Sequence, residues 1–432
     1  MATIRKSLLA GLLLVLPHAA AAQLTIEISR GVSEAVPVAV VPFAWEGEGE
    51  APLDVASVIE SNLERSGRFA ALDRADMIGK PSAPGDVNFR DWRLLNTDVL
   101  VTGSLRPAPE GYEMTFFAFD VFRGEQLIGY SLKSPPNGVR AAAHRAADMI
   151  FEKLTGVPGA FSTRIAYVSV EGERNAERFR LIVADADGEN PVVVADSREP
   201  LMSPAWSPDA NRLAYVSFEG GSSGIYVQEL ATGRRQLVSS HPGINGAPAW
   251  SPDGQLLAMT LSMGESNLDI YVLNPATNDL KRLTRNPAID TEASWSPDGE
   301  TVYFTSDRAG GPQIYAVPAA GGTPRRVTFE GSYNARPRVS PDERSLAVVH
   351  NDRGNFRIAL VDIQRRSVRV LSDGRQDESP SFAPNGSMII YATRAGRRGV
   401  LAAVSTDGRV QQRIAATAGD VREPVWSPYP VR

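Results

Sequence analysis

The 432-residue chain contains no cysteine and only four histidines. Without cysteine there are no disulfides, no thiolate nucleophile and no cysteine-bound zinc. His18 lies in an N-terminal segment that reads as removable. His144, His241 and His350 fall on a helix, in a loop and at a strand end, so spacing assembles neither a triad nor a histidine metal site. An excess of positive charge is also missing. The 45 Lys+Arg and 50 Asp+Glu give a formal charge of −5. The basic pairs Arg325-Arg326, Arg365-Arg366 and Arg397-Arg398 are scattered and read as solvated surface, so no nucleic-acid partner is indicated. Phosphate-cradling glycine loops, H-E-x-x-H and EF-hand patterns do not occur. Gly220-Gly221-Ser222-Ser223-Gly224 matches the G-x-S-x-G nucleophile elbow. It sits in a hairpin with a strand on its far side, where the elbow requires a helix.

Long apolar runs are limited to Ser7–Leu16, about half of what spanning a bilayer requires. Arg5-Lys6 precede that run, Pro17 ends it, and Ala20-Ala21-Ala22 supply small residues for cleavage. Residues 1–22 therefore read as an export signal cleaved before Gln23, with no following cysteine to carry lipid. The rest is long enough for two or more domains.

The second half repeats. Trp206-Ser-Pro-Asp209, Trp250-Ser-Pro-Asp-Gly254 and Trp295-Ser-Pro-Asp-Gly299 are near copies, and Val339-Ser-Pro-Asp342, Phe382-Ala-Pro-Asn-Gly386 and Trp426-Ser-Pro428 are degenerate ones. The anchor positions recur at 44, 45, 44, 43 and 44 residues. That period, with four short β-rich segments per repeat, is the period of a propeller blade. Arg164-Ile-Ala-Tyr-Val-Ser169 resembles Arg212-Leu-Ala-Tyr-Val-Ser217 but has no anchor before it, and Trp426 has no strand after it. The two orphans complete one another, which predicts six blades closed by the C-terminal strand.

Ahead of the repeats, residues 36–43 read as a buried strand and 52–65 as a helix. A short strand at Phe69–Leu72, a helix at Phe89–Leu95, three antiparallel strands (Val99–Leu105, Tyr112–Phe122, Gln126–Leu132) and a helix at Val139–Leu154 follow. The order predicts a mixed α/β domain, a sheet with helices on one face. The domains are thus a 1–22 signal, a 23–35 arm (an edge strand or a mobile segment), a 36–156 α/β domain, a 157–163 hinge and a 164–432 all-β six-bladed propeller.

Proline stands two residues before five of the six anchors, at Pro204, Pro248, Pro337, Pro380 and Pro424, with Ala293 the exception. Proline tolerates an unpaired edge, and the innermost strand of a blade has one facing the channel. The residues just ahead of these positions are therefore expected to rim one mouth of the channel. They are Met202 and Ser203, Gly246 and Ala247, and Thr291 and Glu292 in three blades. Ala335 and Arg336, Glu378 and Ser379, and Arg422 and Glu423 are their counterparts in the others. Six converging loops form the expected binding mouth. The acids there, Asp290, Glu292, Asp377, Glu378 and Glu423, leave open a divalent cation in the channel. Arg336 and Arg422 on the same rim favour a mixed polar surface.

Several segments carry a resemblance to a known family. They are the export signal, Pro37-Val-Ala-Val-Val-Pro42, Phe151-Glu-Lys-Leu-Thr-Gly156 leading into Thr163-Arg-Ile-Ala-Tyr-Val168, and Pro200-Leu-Met-Ser-Pro-Ala-Trp206. Asn245-Gly-Ala-Pro248, Thr305-Ser-Asp-Arg308 and Trp426-Ser-Pro-Tyr429 complete the set. Over its whole length the chain resembles the TolB family, periplasmic propeller proteins of the Tol-Pal envelope system. The resemblance implies a non-catalytic periplasmic scaffold without cofactor. It would bind the lipoprotein Pal at the channel mouth, around Asn245, Thr291, Glu292 and Glu378, and so associate peripherally with the outer membrane. Some bacteriocins would use the same mouth. TolA would engage the arm, including Gln23, Leu24, Thr25, Ile26, Glu27 and Ile28. The family often has a histidine where this chain has Ile244. Two rival readings are the propeller module of a hydrolase, which would need an α/β hydrolase segment the chain has no room for, and a glycan sensor using the channel.

Overall fold

The computed structural model describes residues 24–30, 35–173, 176–416 and 419–430; the expected export signal, Gln23 and residues 31–34 of the expected arm lie outside them. The α/β domain is built on a sheet ordered Phe69–Ala71, Val36–Val40, Val99–Ala108, Gly111–Asp120, Glu125–Ser134, with Ala44–Trp45 added beside Val99–Ala108. The first three strands and Ala44–Trp45 pair in parallel, and the last two join antiparallel. Helix α1 (Val55–Arg65) begins at Asp54, whose carboxylate accepts from Ser57 N at 3.0 Å, satisfying one of the helix's free amides.

The run Val38-Ala39-Val40-Val41 is apolar throughout because both faces of its strand are covered. Val38 and Val40 join the core beneath α1 and the long helix Val139–Thr155, with Ile59, Leu63, Ala143 and Ile150. Ala39 and Val41 face a second core with Trp92, Leu100, Phe119 and Val121. The short helix Phe89–Leu94, which carries Trp92, covers this face. The expectation of helices on one face is corrected accordingly: the strand's uninterrupted apolar run already required a second cover.

The propeller has the six blades expected. Blade 1 is ordered Val192–Ser197, Arg178–Asp185, Arg164–Glu171, Asp420–Trp426, so the chain's last strand is the innermost one of the blade where the domain begins. The closure pairs Trp426 with Ile165 and Val421 with Ser169. The inner strands of blades 2 to 6 are Leu201–Trp206, Asn245–Trp250, Asp290–Trp295, Asn334–Val339 and Glu378–Phe382. Among the described residues six core clusters each join two adjacent blades, as Tyr215 and Trp206 do with Val168 and Leu181.

The repeated motif holds these blades in two ways. The indoles of Trp206 and Trp295 donate to the preceding inner strand, at Val425 O (3.2 Å) and Ala249 O (3.1 Å). Guanidiniums of Arg164 and Arg212 stack on Trp206 and Trp250 at 4.9 and 4.6 Å. Within the turn, Ser251, Ser296 and Ser340 donate to the following aspartate at 2.5, 2.5 and 2.6 Å. The same hydroxyls accept backbone amides five residues on, at 2.9, 2.9 and 3.0 Å. The serine-aspartate pair is therefore structural.

The hinge is tied down. Asp148 accepts from Phe161 N (2.6 Å) and Ser162 N (3.1 Å), and Phe161 is buried in the α/β core. Asn385 of blade 6 donates to Pro158 O at 2.8 Å.

Candidate functional site: the channel mouth and the arm

All six inner strands break register at the same place, between Met202 and Ala205, Gly246 and Ala249, Thr291 and Ser294, Ala335 and Arg338, Glu378 and Ser381, and Arg422 and Val425. The bulged residue has positive φ every time: Ser203 (51°), Ala247 (46°), Glu292 (58°), Arg336 (54°), Ser379 (56°) and Glu423 (49°). Non-glycine residues in this region are uncommon and cost about 1–3 kcal/mol each. A bulge re-aims the side chain and ends regular pairing. Repeated six times, it turns one residue per blade toward its neighbours around the channel.

All of the bulged residues except Ala247 are bonded to another of them. Arg336 donates from Nε to Glu292 Oε1 at 2.6 Å and from its backbone N to Glu292 Oε2 at 3.1 Å, and its guanidinium also bonds Ser379 Oγ. Glu423 accepts from Ser203 N. Thr305 Oγ1 donates to Glu292 at 3.1 Å. Burial alone would lower the pKa of Arg336, but Glu292, Glu423 and Glu378 outweigh it and hold it raised. Burial pushes Glu423 upward against the pull of Arg336. Burial lowers the pKa of Arg338, opposed by Glu292 and Glu423 on blades 4 and 1. In the other blades the equivalent position is Ala205, Ala249, Ser294, Ser381 or Val425.

Of the acids that suggested a cation, Asp290, Glu292, Asp377 and Glu423 are engaged, and Glu378 is exposed. Asp290 is fully buried and takes both oxygens to Arg308 Nη2, at 2.8 and 2.7 Å. Asp377 accepts from Ser372 and, at 2.5 Å, from Thr393, and burial raises its pKa. Glu292 is ion-paired with Arg336 at 2.6 Å, and Glu423 accepts from Ser203 N. Oxygen ligands of this kind suit Mg²⁺ or Ca²⁺, but these two carboxylates already have partners.

Around this polar ring the mouth has two characters. Met202 and Ile244 are exposed, and so are Met263 and Ile289, which the repeat pattern did not single out. Together they make an apolar arc over blades 2 to 4. Ile244 donates its amide to Ser262 Oγ at 2.8 Å, which brings Met263 beside it. On the other side a cavity of about 370 Å³ is lined by Glu292, Arg336, Glu378, Arg394 and Arg422. Asn245, Ala335 and Ser379 are buried and support the rim from within. Asn245, for example, accepts from Ser239 Oγ at 2.7 Å and donates to His241 O at 2.7 Å. Gly246, Thr291 and Arg422 reach the surface.

The arm takes the first of its two expected forms. Leu24–Arg30 pairs antiparallel with Gln411–Ala416, Leu24 opposite Ala416 and Ile28 opposite Gln412. It is a fifth strand on the outer edge of blade 6, at the far end of that sheet from the inner strand Glu378–Phe382. Ser222 lies in the turn between Arg212–Ser217 and Gly224–Glu229, as the rejection of the nucleophile elbow required. Among the described residues no helix is long and apolar enough to cross a membrane.

Two family models cover the chain, the TolB amino-terminal domain over residues 24–127 and the TolB beta propeller domain over 151–430. The Tol-Pal system protein TolB of Xanthomonas euvesicatoria pv. vesicatoria is 50% identical over 423 residues, 96% of either chain. Its counterpart in Xanthomonas campestris pv. campestris (strain B100) is 49% identical over the same span. The crystal structure of TolB from Acinetobacter baumannii superposes with a TM-score of 0.88 at 41% identity, covering 94% of this chain and all of that one. Two matched domains in order, a propeller closed by its last strand and a likeness spanning both chains make this chain a member of the TolB family of the Tol-Pal system.

Proposed function

We propose that the chain is a non-catalytic periplasmic scaffold that holds Pal on the channel mouth and offers its N-terminal arm to TolA, thereby supporting outer-membrane integrity and constriction at division. It would act as a monomer, meet the outer membrane only through Pal, and expose bacteriocins to the same mouth. The observation that carries this reading is the pairing of two separate features. One is a rigid rim with an apolar arc beside a charged arc, the anatomy of a protein-binding surface. The other is an arm attached by a single strand ladder, which can be released without unfolding either domain. Coupling between the two would be allosteric if Pal prefers one state of the arm. Mutual neutralisation of the acids and guanidiniums at the mouth favours a scaffold over a hydrolase. The test is deletion of residues 23–35 from the mature chain. TolA binding should be lost and Pal binding kept; a truncated protein that still bound TolA normally would refute the assignment of the arm.

A further inference from the structure

Two of the basic pairs that stand in separate blades meet on one exposed ring. Phe329 follows Arg325–Arg326, the outer strand of blade 4, and is 48% exposed. The guanidinium of Arg326 lies over its ring, 5.1 Å from the centre, and that of Arg366 in blade 5 lies over it at 4.9 Å. Arg326 Nε donates to Thr328 O at 2.6 Å, which ties down that guanidinium. Among the described residues Arg325, Arg326 and Arg366 form no ion pair. Arg365 reaches Asp362 only at 3.9 Å, with 84% of its side chain exposed. Asp362 Oδ1 already accepts from the amides of Gln364 and Arg365, at 3.0 and 2.7 Å. The neighbouring acid Glu330 is exposed. Four guanidiniums therefore stand against two carboxylates on this shoulder of the propeller.

Arg366 is there against the preference of its backbone. In every blade the turn from third to fourth strand uses a residue at positive φ. Five blades place glycine or asparagine there: Gly188 (88°), Gly233 (70°), Asn278 (62°), Gly321 (100°) and Gly408 (79°). Blade 5 places Arg366, at 60°. Its amide donates to Asp362 O at 2.8 Å, the bond that Gly233 makes to Glu229 O and Asn278 to Asn274 O, at 2.9 and 2.8 Å. The turn is thus the same and the residue is the exception, and a long side chain is strained in this region. Blade stacking does not require it. Blades 3 and 5 clip the next blade's turn with a cation on their outer strands. Lys281 donates to Ala320 O at 2.7 Å, and Arg369 to Asp407 O and Thr406 O at 2.9 and 2.6 Å. Arg325, 44 residues from each, makes no such bond. The junction of blades 4 and 5 has the exposed stack instead, and strain kept at an exposed position points to a function.

A guanidinium held over a ring is oriented in advance and keeps N–H donors for a carboxylate. Arginine beside an exposed aromatic is also the composition of a protein-binding hot spot. The chain as a whole carries a formal charge of −5. That charge opposes a broad anionic surface such as a bilayer and favours a short acidic segment that meets only this patch. We propose that the shoulder between blades 4 and 5 is a second docking surface, which takes an acidic segment of a partner protein. Its carboxylates pair with Arg326 and Arg366, and an apolar side chain packs on Phe329.

The probe is fluorescein-labelled hexaglutamate, read by anisotropy against the mature chain. Wild type should bind it saturably at about 20 mM salt and more weakly at about 200 mM. Arg326→Gln with Arg366→Gly should bind it about tenfold more weakly, and Arg366→Gly alone about threefold. Arg366→Gly should also unfold in urea at the wild-type midpoint or above it, because the turn regains the residue its backbone prefers. A structural strut would instead lower that midpoint. No binding by wild type, equal binding by the double variant, or a lowered midpoint for Arg366→Gly overturns the proposal. Should the double variant fail to fold, equal binding by Arg366→Gly is as damaging. Phosphatidylglycerol vesicles form the second arm: if they bind wild type and release the variants while the peptide binds neither, the surface meets a membrane and the proposal fails. The probe contains no part of Pal or TolA, so its result stands apart from the assignment of the mouth and the arm.

Discussion

Asp290 begins the inner strand of blade 4 and sets the loop that carries Ile289, Thr291 and Glu292 to the mouth. Its carboxylate is fully buried. Arg308, 16% exposed in its side chain, bonds both oxygens and stacks on Tyr315 and Phe304 at 4.8 and 5.5 Å. Replacing Asp290 by Asn leaves that guanidinium in place without its counter-charge. Breaking a buried pair from one side costs about 3–5 kcal/mol; since the amide retains one acceptor, we expect about 3 kcal/mol. For a domain of this size, with a urea slope near the upper end of about 1–3 kcal/mol/M, the propeller midpoint should fall by about 1 M. Trp206, Trp250, Trp295 and Trp426 report the propeller in fluorescence-detected unfolding, with Trp45 and Trp92 reporting the α/β domain. Replacing both partners, Asp290→Leu with Arg308→Met, should recover more than half of the loss, because no charge is then stranded. A shift below about 0.2 M for Asp290→Asn, or a double variant as weak as the single one, would refute the view that charge pairing holds the rim.

Three other outcomes follow from the same geometry. Ala247→Gly removes one methyl at φ 46° and should stabilise the propeller by about 0.5–1 kcal/mol, where the same change at ordinary φ destabilises; a lower urea midpoint would contradict the strain. Gly159→Ala would put a Cβ 2.4 Å from Asp148 Cα, and should cost about 2 kcal/mol, read as a lower thermal midpoint, because backbone must move. Burial raises the pKa of Glu423, so the folded state binds its proton more readily than the unfolded one, and this group's contribution to stability rises as pH falls from 7 through its folded pKa. Wild type should therefore gain on Glu423→Gln between pH 7 and pH 5 in parallel urea titrations; a constant difference would show that Glu423 does not titrate there.

Blade number, closure and the rim were legible because they rest on spacing. The Trp-Ser-Pro-Asp period counts blades, and the unpaired first and last strands leave one way to join them. The bulge was not legible, since Ser203, Ala247, Glu292, Arg336, Ser379 and Glu423 are of four different residue types and none is glycine. Its trace was the proline after five of them. Asn245 looked like a contact residue and is an internal brace, because an amide one residue from an exposed loop position carries no sign of its burial. His144 reads as one polar residue on a helix beside Ala143 and Ala146; Asp185 and Asp187, whose carboxylates lie 3.9 and 3.4 Å from its Nε2, come from another domain, and no local pattern joins them. Met263 escaped because it lies in a different hairpin from the anchor repeat.

The proposed docking of Pal on the rim of the propeller mouth can be measured directly. Calorimetric titration of the mature chain with the periplasmic domain of Pal from the same organism tests it, beside Ile244→Asp. Ile244 is 51% exposed at the centre of the apolar arc, with no side-chain role in the fold. The account predicts saturable binding by wild type and at least about a tenfold weaker complex for the variant, since a buried apolar contact is exchanged for a desolvated charge. Equal affinity for both proteins, or no heat of binding from either, would contradict it.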